Sequence, residues 1–78
     1  MKFHVLLKTP LFRGKYGADR SKELKNSVVE VRGDGDPRDG GLDLRVTGLI
    51  DERGNAVDSP FDRIFLPLGK IDFYVIEG

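Results

Sequence analysis

The stretch FDRIFLPLGKIDFYVIEG (Phe61–Gly78) decides the fold of this chain. It holds two apolar runs, Ile64–Leu66 and Ile71–Ile76, separated by Pro67-Leu68-Gly69-Lys70. Each run has strand length and strand composition, and the Pro–Gly punctuation between them allows one tight break. Two strands joined by a one-turn break suggest the closing end of a small β-barrel.

Working outward, Phe3, Val5 and Leu7 alternate with His4, Leu6 and Lys8, the pattern of a half-buried first strand. Thr9-Pro10 ends it, because proline restricts its predecessor and cannot donate to a ladder. Residues 9–26 form a long polar connection in which Asp19 or Ser21 can cap a short helix near 19–26. Val28–Arg32 (VVEVR) is a β-branched second strand. The segment 33–41, GDGDPRDGG, carries four Gly, three Asp and one Pro and reads as a mobile loop. Leu42–Ile50 gives the cleanest alternation, with Gly48 as a candidate bulge or bend. Asp51–Asn55 reads as a hairpin turn, with Gly54 or Asn55 able to take positive φ. A fourth strand starts at Ala56-Val57, breaks at Asp58-Ser59-Pro60 and resumes at Arg63–Leu66. The expectation is an all-β, five-stranded, partly open barrel in a single domain, residues 1–78. The inward set is Phe3, Val5, Leu7, Val29, Val31, Leu42, Leu44, Val46, Ile50, Ile64, Leu66, Ile71, Phe73 and Val75.

Composition narrows the function classes. The chain has 78 residues, no cysteine and one histidine, so neither disulfides nor a Cys/His zinc site can support it. Such a domain relies on its apolar core or on association. Absence of cysteine fits a reducing cytoplasm. No apolar run approaches the roughly 20 residues of a membrane span, and the start reads as a strand rather than a signal peptide. Thirteen cations balance thirteen anions. The balance hides an asymmetry: residues 1–32 carry eight cations and three anions, residues 33–78 five and ten. The two halves can pair with each other, or the basic half can face an anionic partner.

The order of elements resembles the Src-homology-3-like barrels. That family has a strand, a long loop, a strand, a second loop, a strand, a tight distal turn, a strand, one 3₁₀ turn and a last strand. Here the long loop corresponds to 9–26, the second loop to 33–41, the distal turn to 51–55 and the 3₁₀ turn to Pro67–Lys70. Leu66-Pro67-Leu68-Gly69-Lys70-Ile71 is similar to the family's sequence at that turn. Members that bind proline-rich peptides use a Trp and several Tyr. This chain has no Trp, and Lys70 stands where the groove Tyr would be, so the resemblance implies the fold rather than that groove. A second resemblance is to the Sm-like RNA-binding barrels, through the spacing Asp51…Asn55. The Arg-Gly of their second motif is replaced here by Leu68-Gly69, and no stacking residue stands between Asp51 and Asn55.

Two interaction surfaces follow. Leu6, Val28, Leu49, Phe65, Tyr74 and Ile76 fall opposite the inward set and would form an apolar second face, which marks association. The expected function is a small protein-interaction module that binds a protein partner or a second copy of itself. The alternative is nucleic-acid binding by the loop 12–25, through Phe12, Arg13, Lys15, Tyr16, Arg20, Lys22 and Lys25, a mixture suited to phosphates and stacked bases. Asp34, Asp36 and Asp39 echo a calcium loop, but Arg38 and Arg45 occupy two of its ligand positions. His4 has no visible nucleophile or orienting partner. No catalytic residue, metal site or cofactor is expected.

Overall fold

The computed structural model describes residues 1–11, 14–15, 23–24 and 27–77, the pairs 14–15 and 23–24 as backbone. Alternation at the start of the chain produces strand β1 (Lys2–Leu11), with Phe3 and Val5 fully buried and His4 and Leu6 on the other face. β2 (Gly14–Lys15) and β3 (Glu23–Leu24) pair as a short ribbon. The helix expected near 19–26 falls outside the described residues except at Glu23 and Leu24, which are strand.

β4 (Val28–Arg38) and β5 (Gly41–Asp51) form a long antiparallel hairpin. β6 (Ala56–Val57) and β7 (Arg63–Pro67) lie in succession along the far side of β5, as the interrupted fourth strand predicts. A 3₁₀ turn (Leu68–Lys70) then leads to β8 (Ile71–Glu77), which pairs with β1. Lys70 Nζ donates to Thr9 Oγ1 at 2.9 Å and stitches that turn to β1. The main sheet runs β6-β5-β4-β1-β8, with β7 also on β5. The all-β class therefore holds, but β7 and β8 do not pair and the sheet is not closed into a barrel.

The segment 33–41 is not the mobile loop its composition suggests. Residues 33–38 continue β4, and the hairpin turns at Asp39-Gly40, with Gly40 at φ 84°. Its glycines serve close approach. A Cβ on Gly35 would sit 1.9 Å from the Asp43 carbonyl oxygen, and one on Gly33 2.6 Å from that of Arg45. Side chains at either point would push β4 away from β5. Pro37 is tolerated because β1 pairs with β4 no further than Asp34, so no β1 partner is lost at residue 37.

Three single-residue bulges interrupt the alternation. Val29 is extra in β4, Thr47 in β5 and Asp72 in β8, since the register passes from Val28↔Asp51 to Glu30↔Ile50, from Arg32↔Gly48 to Gly33↔Val46, and from Leu6↔Phe73 to Leu7↔Ile71. A bulge bends its strand and moves every later side chain to the other face. The core collects Phe3, Val5, Val28, Val31, Leu42, Leu44, Leu49, Leu66 and Ile71. Val28 and Leu49, expected on the second face, are thus fully buried, turned inward by the bulges at Val29 and Thr47.

The turn after β5 is organised by Asp51, only 3% exposed. Its Oδ1 accepts from the backbone N–H groups of Arg53 and Asn55, both at 2.9 Å, while Gly54 takes φ 84°. Carboxylate–amide bonds of this kind are worth about 1.5–3 kcal/mol each when charged. Asp51→Ala is expected to cost about 2–4 kcal/mol in urea denaturation, and Asp51→Asn less than half of that. A loss below about 0.5 kcal/mol for the alanine variant would remove Asp51 from this role.

Candidate functional site

β8 reads Ile71-Asp72-Phe73-Tyr74-Val75-Ile76-Glu77, and its apolar centre is bounded by acids. Ile71 points into the core opposite Leu7. The bulge at Asp72 then reverses the alternation. Phe73 opposes Leu6 and Val75 opposes His4, so both share the outer face of β1. Tyr74 opposes Val5 and Ile76 opposes Phe3, so both share the core face. This reverses the parity that simple alternation predicts, with Phe73 and Val75 inward and Tyr74 and Ile76 outward.

All four nevertheless reach solvent. Phe73, Val75 and Ile76 are each 51% exposed and Tyr74 39%. The reason is position in the sheet. Among the described strands β8 pairs with β1 alone, so no described strand lies along its other side. Tyr74 is held by Phe3, which it meets edge-on with ring centroids 5.4 Å apart. That contact anchors the middle of the strand to the core and leaves part of the ring exposed.

The other residues expected on the second face disperse. Leu6 is half-buried beside Phe73. Phe65 is 49% exposed, but on β7, beyond β5 from β8, opposite Asp43. Val28 and Leu49 are in the core. Of the expected nucleic-acid residues, Phe12, Arg13, Tyr16, Arg20, Lys22 and Lys25 lie outside the described residues, and Lys15 is described only as backbone in β2.

Charged groups flank the β8 edge. His4 Nε2 lies 2.9 Å from Glu77 Oε2, and its Nδ1 4.0 Å from Glu30 Oε2, while Glu30 also pairs with Arg32. These residues sit on the outer face next to Val75. A second cluster, Arg38, Asp43 and Arg63, occupies the outer face of β5 and its neighbours, with Arg63 Nη2 2.8 Å from Asp43 Oδ2. The two arginines converge on the one Asp43 carboxylate, an exposed cross-strand arrangement of the kind that contributes little to stability. The arrangement offers no reacting group beside His4. What it offers is a polar rim around an apolar strand that has one described strand beside it. Compared with protein-family models, with curated proteins and with solved structures, the chain matches none.

Proposed function

We propose that this chain is a small protein-interaction module that docks a polypeptide along the β8 edge. One observation carries the reading: four consecutive apolar side chains, Phe73–Ile76, are 39–51% exposed on a strand with one described neighbour. Scattered surface hydrophobics are ordinary, but edge strands usually protect themselves with proline, lysine or inward charges. β8 has none of these between Asp72 and Glu77. An added strand would satisfy the open backbone groups, and alternate side chains on two faces would give selectivity.

The strand order, with a 3₁₀ turn between β7 and β8, supports reading the fold as Src-homology-3-like. In that reading Lys70, bonded to Thr9, replaces the groove tyrosine, and docking shifts from the proline-rich groove to the last strand. The lack of cysteine supports a cytoplasmic setting. No helix among the described residues is long and apolar enough to cross a membrane.

The test is photo-cross-linking in cells, with a photoreactive residue at Phe73 or Val75 and a control at exposed Asp58. Protein adducts at 73 and 75, and none at 58, are the expected result. Adducts equal at all three sites, or none, would sink the reading. Adducts with nucleic acid instead would favour the basic loop 12–25.

A further inference from the structure

Resting on the proposal that β8 is a docking edge, we infer that its occupant is the β8 of a second copy, added antiparallel about a two-fold axis through Tyr74. The pairing is chosen by the strand's own symmetry. Tyr74 is the midpoint of Ile71–Glu77, so an axis there overlaps the two strands over their whole length, with the regularly alternating Phe73, Tyr74 and Val75 at the centre and the bulge at Asp72 towards either end. Facing residues in an antiparallel pair share a sheet face. The axis therefore sets Phe73 against Val75 of the second copy twice over on the outer face, and Tyr74 against Tyr74 on the other. Together with Leu6 of each copy, beside Phe73, the outer residues make one unbroken apolar strip across the junction. Aromatic–β-branched and aromatic–aromatic pairs are favourable cross-strand neighbours.

Charge selects the direction. A parallel pairing in register would set Asp72 against Asp72 and Glu77 against Glu77. The antiparallel one keeps like charges apart: Asp72 lies towards Ile76 of the other copy, and Lys70 of one copy lies at the end occupied by Glu77 of the other. Opposed like charges are destabilising in a sheet. The main sheet, six strands in each copy, becomes continuous through the dimer and the open edge disappears.

Exposed area sets the strength. Half-exposure of four large side chains amounts to about 300–400 Å² per copy. A long-lived complex needs roughly 800 Å² per partner, so the dimer is weak and reversible, half-formed at roughly tens to hundreds of micromolar.

Two measurements on the full chain decide it. Sedimentation equilibrium is expected to show the average mass rising towards twice the monomer mass over that range, and to persist when salt is raised. Phe73→Lys with Val75→Lys is expected to weaken association at least tenfold; both residues are half-exposed, and an unchanged thermal melt would show that the fold survives. Tyr74→Cys, in a chain with no other cysteine, is expected to form a disulfide dimer much faster than Ser59→Cys under mild oxidation, because directly opposed residues stand at disulfide distance. A monomer at every concentration up to about 1 mM, or equal cross-linking of the two cysteine variants, overturns the inference. If in-cell adducts form at Phe73 and Val75 with a different protein while the chain stays monomeric, the docking edge stands and self-pairing falls. If no adducts form and the chain stays monomeric, both fall.

Discussion

Gly35→Ala is expected to cost about 3–5 kcal/mol or prevent folding outright. The added methyl would sit 1.9 Å from the Asp43 carbonyl oxygen and 3.0 Å from its carbon, both backbone atoms. A flexible side chain could rotate away; a paired strand cannot. The only relief is to part β4 from β5, which breaks the hairpin that carries most of the sheet. A 78-residue domain has about 4–12 kcal/mol of stability in total, so the loss consumes much of it. Thermal denaturation followed by circular dichroism would register a drop of roughly 15–30 °C. Gly69→Ala is the matched control. Nothing lies within 4 Å of its added Cβ, and its melting point should change little or rise slightly. Equal melting points for the two variants would mean that β4 and β5 do not cross this closely.

Phe3→Ala is expected to remove about 3–5 kcal/mol by a different route, the loss of a fully buried ring and the void it leaves. Phe3 joins the core to the exposed edge, because its ring is the one Tyr74 meets edge-on. The substitution should therefore also free Tyr74, seen as lost protection of the β8 amides in hydrogen exchange beyond the global destabilisation. Leu44→Ala, equally buried but on β5, should destabilise comparably and leave β8 protection tracking global stability. Identical exchange patterns in the two variants would show that Tyr74 is not held through Phe3.

Those two positions also show what the sequence made legible. Phe3 and Val5 could be placed in the core from alternation, because β1 is regular over Lys2–Leu6 in its pairing with β4. The turn at Asp51–Asn55 and the break at 68–70 were readable from turn chemistry, which is local. Gly35 was not readable, because a glycine needed for close approach has the same composition signal as one needed for a loop. Only the partner strand distinguishes them, and it is brought in by pairing. The exposure of the last strand has a different cause from the one its alternation implies. Tyr74 and Ile76 are exposed because β8 lies at the side of the sheet, not because they turn away from the core. Val28 and Leu49 are buried, against the unbroken alternation of their strands, because the bulges at Val29 and Thr47 turn them inward and leave no mark in the apolar pattern itself. Gly48 did signal the irregularity beside it, but not which neighbour would be the unpaired residue.

The bulges have a further consequence for how this chain tolerates change. A strand is written in a two-letter alphabet, inside and outside, and each bulge is a one-letter insertion that shifts the reading frame downstream. Leu49 and Ile50 look interchangeable in a list of apolar residues, yet only the first is sealed from water. Saturation mutagenesis should therefore find strict apolar demand at Val28, Leu49 and Ile71, and polar tolerance at Phe73 and Val75, two and four positions past Ile71. A single-residue deletion at Thr47 would remove the extra letter and leave Leu42, Leu44 and Leu49 on the core face of a regular β5, whereas a deletion at Asp43 would set Leu42 and Leu44 on opposite faces and should be far more damaging.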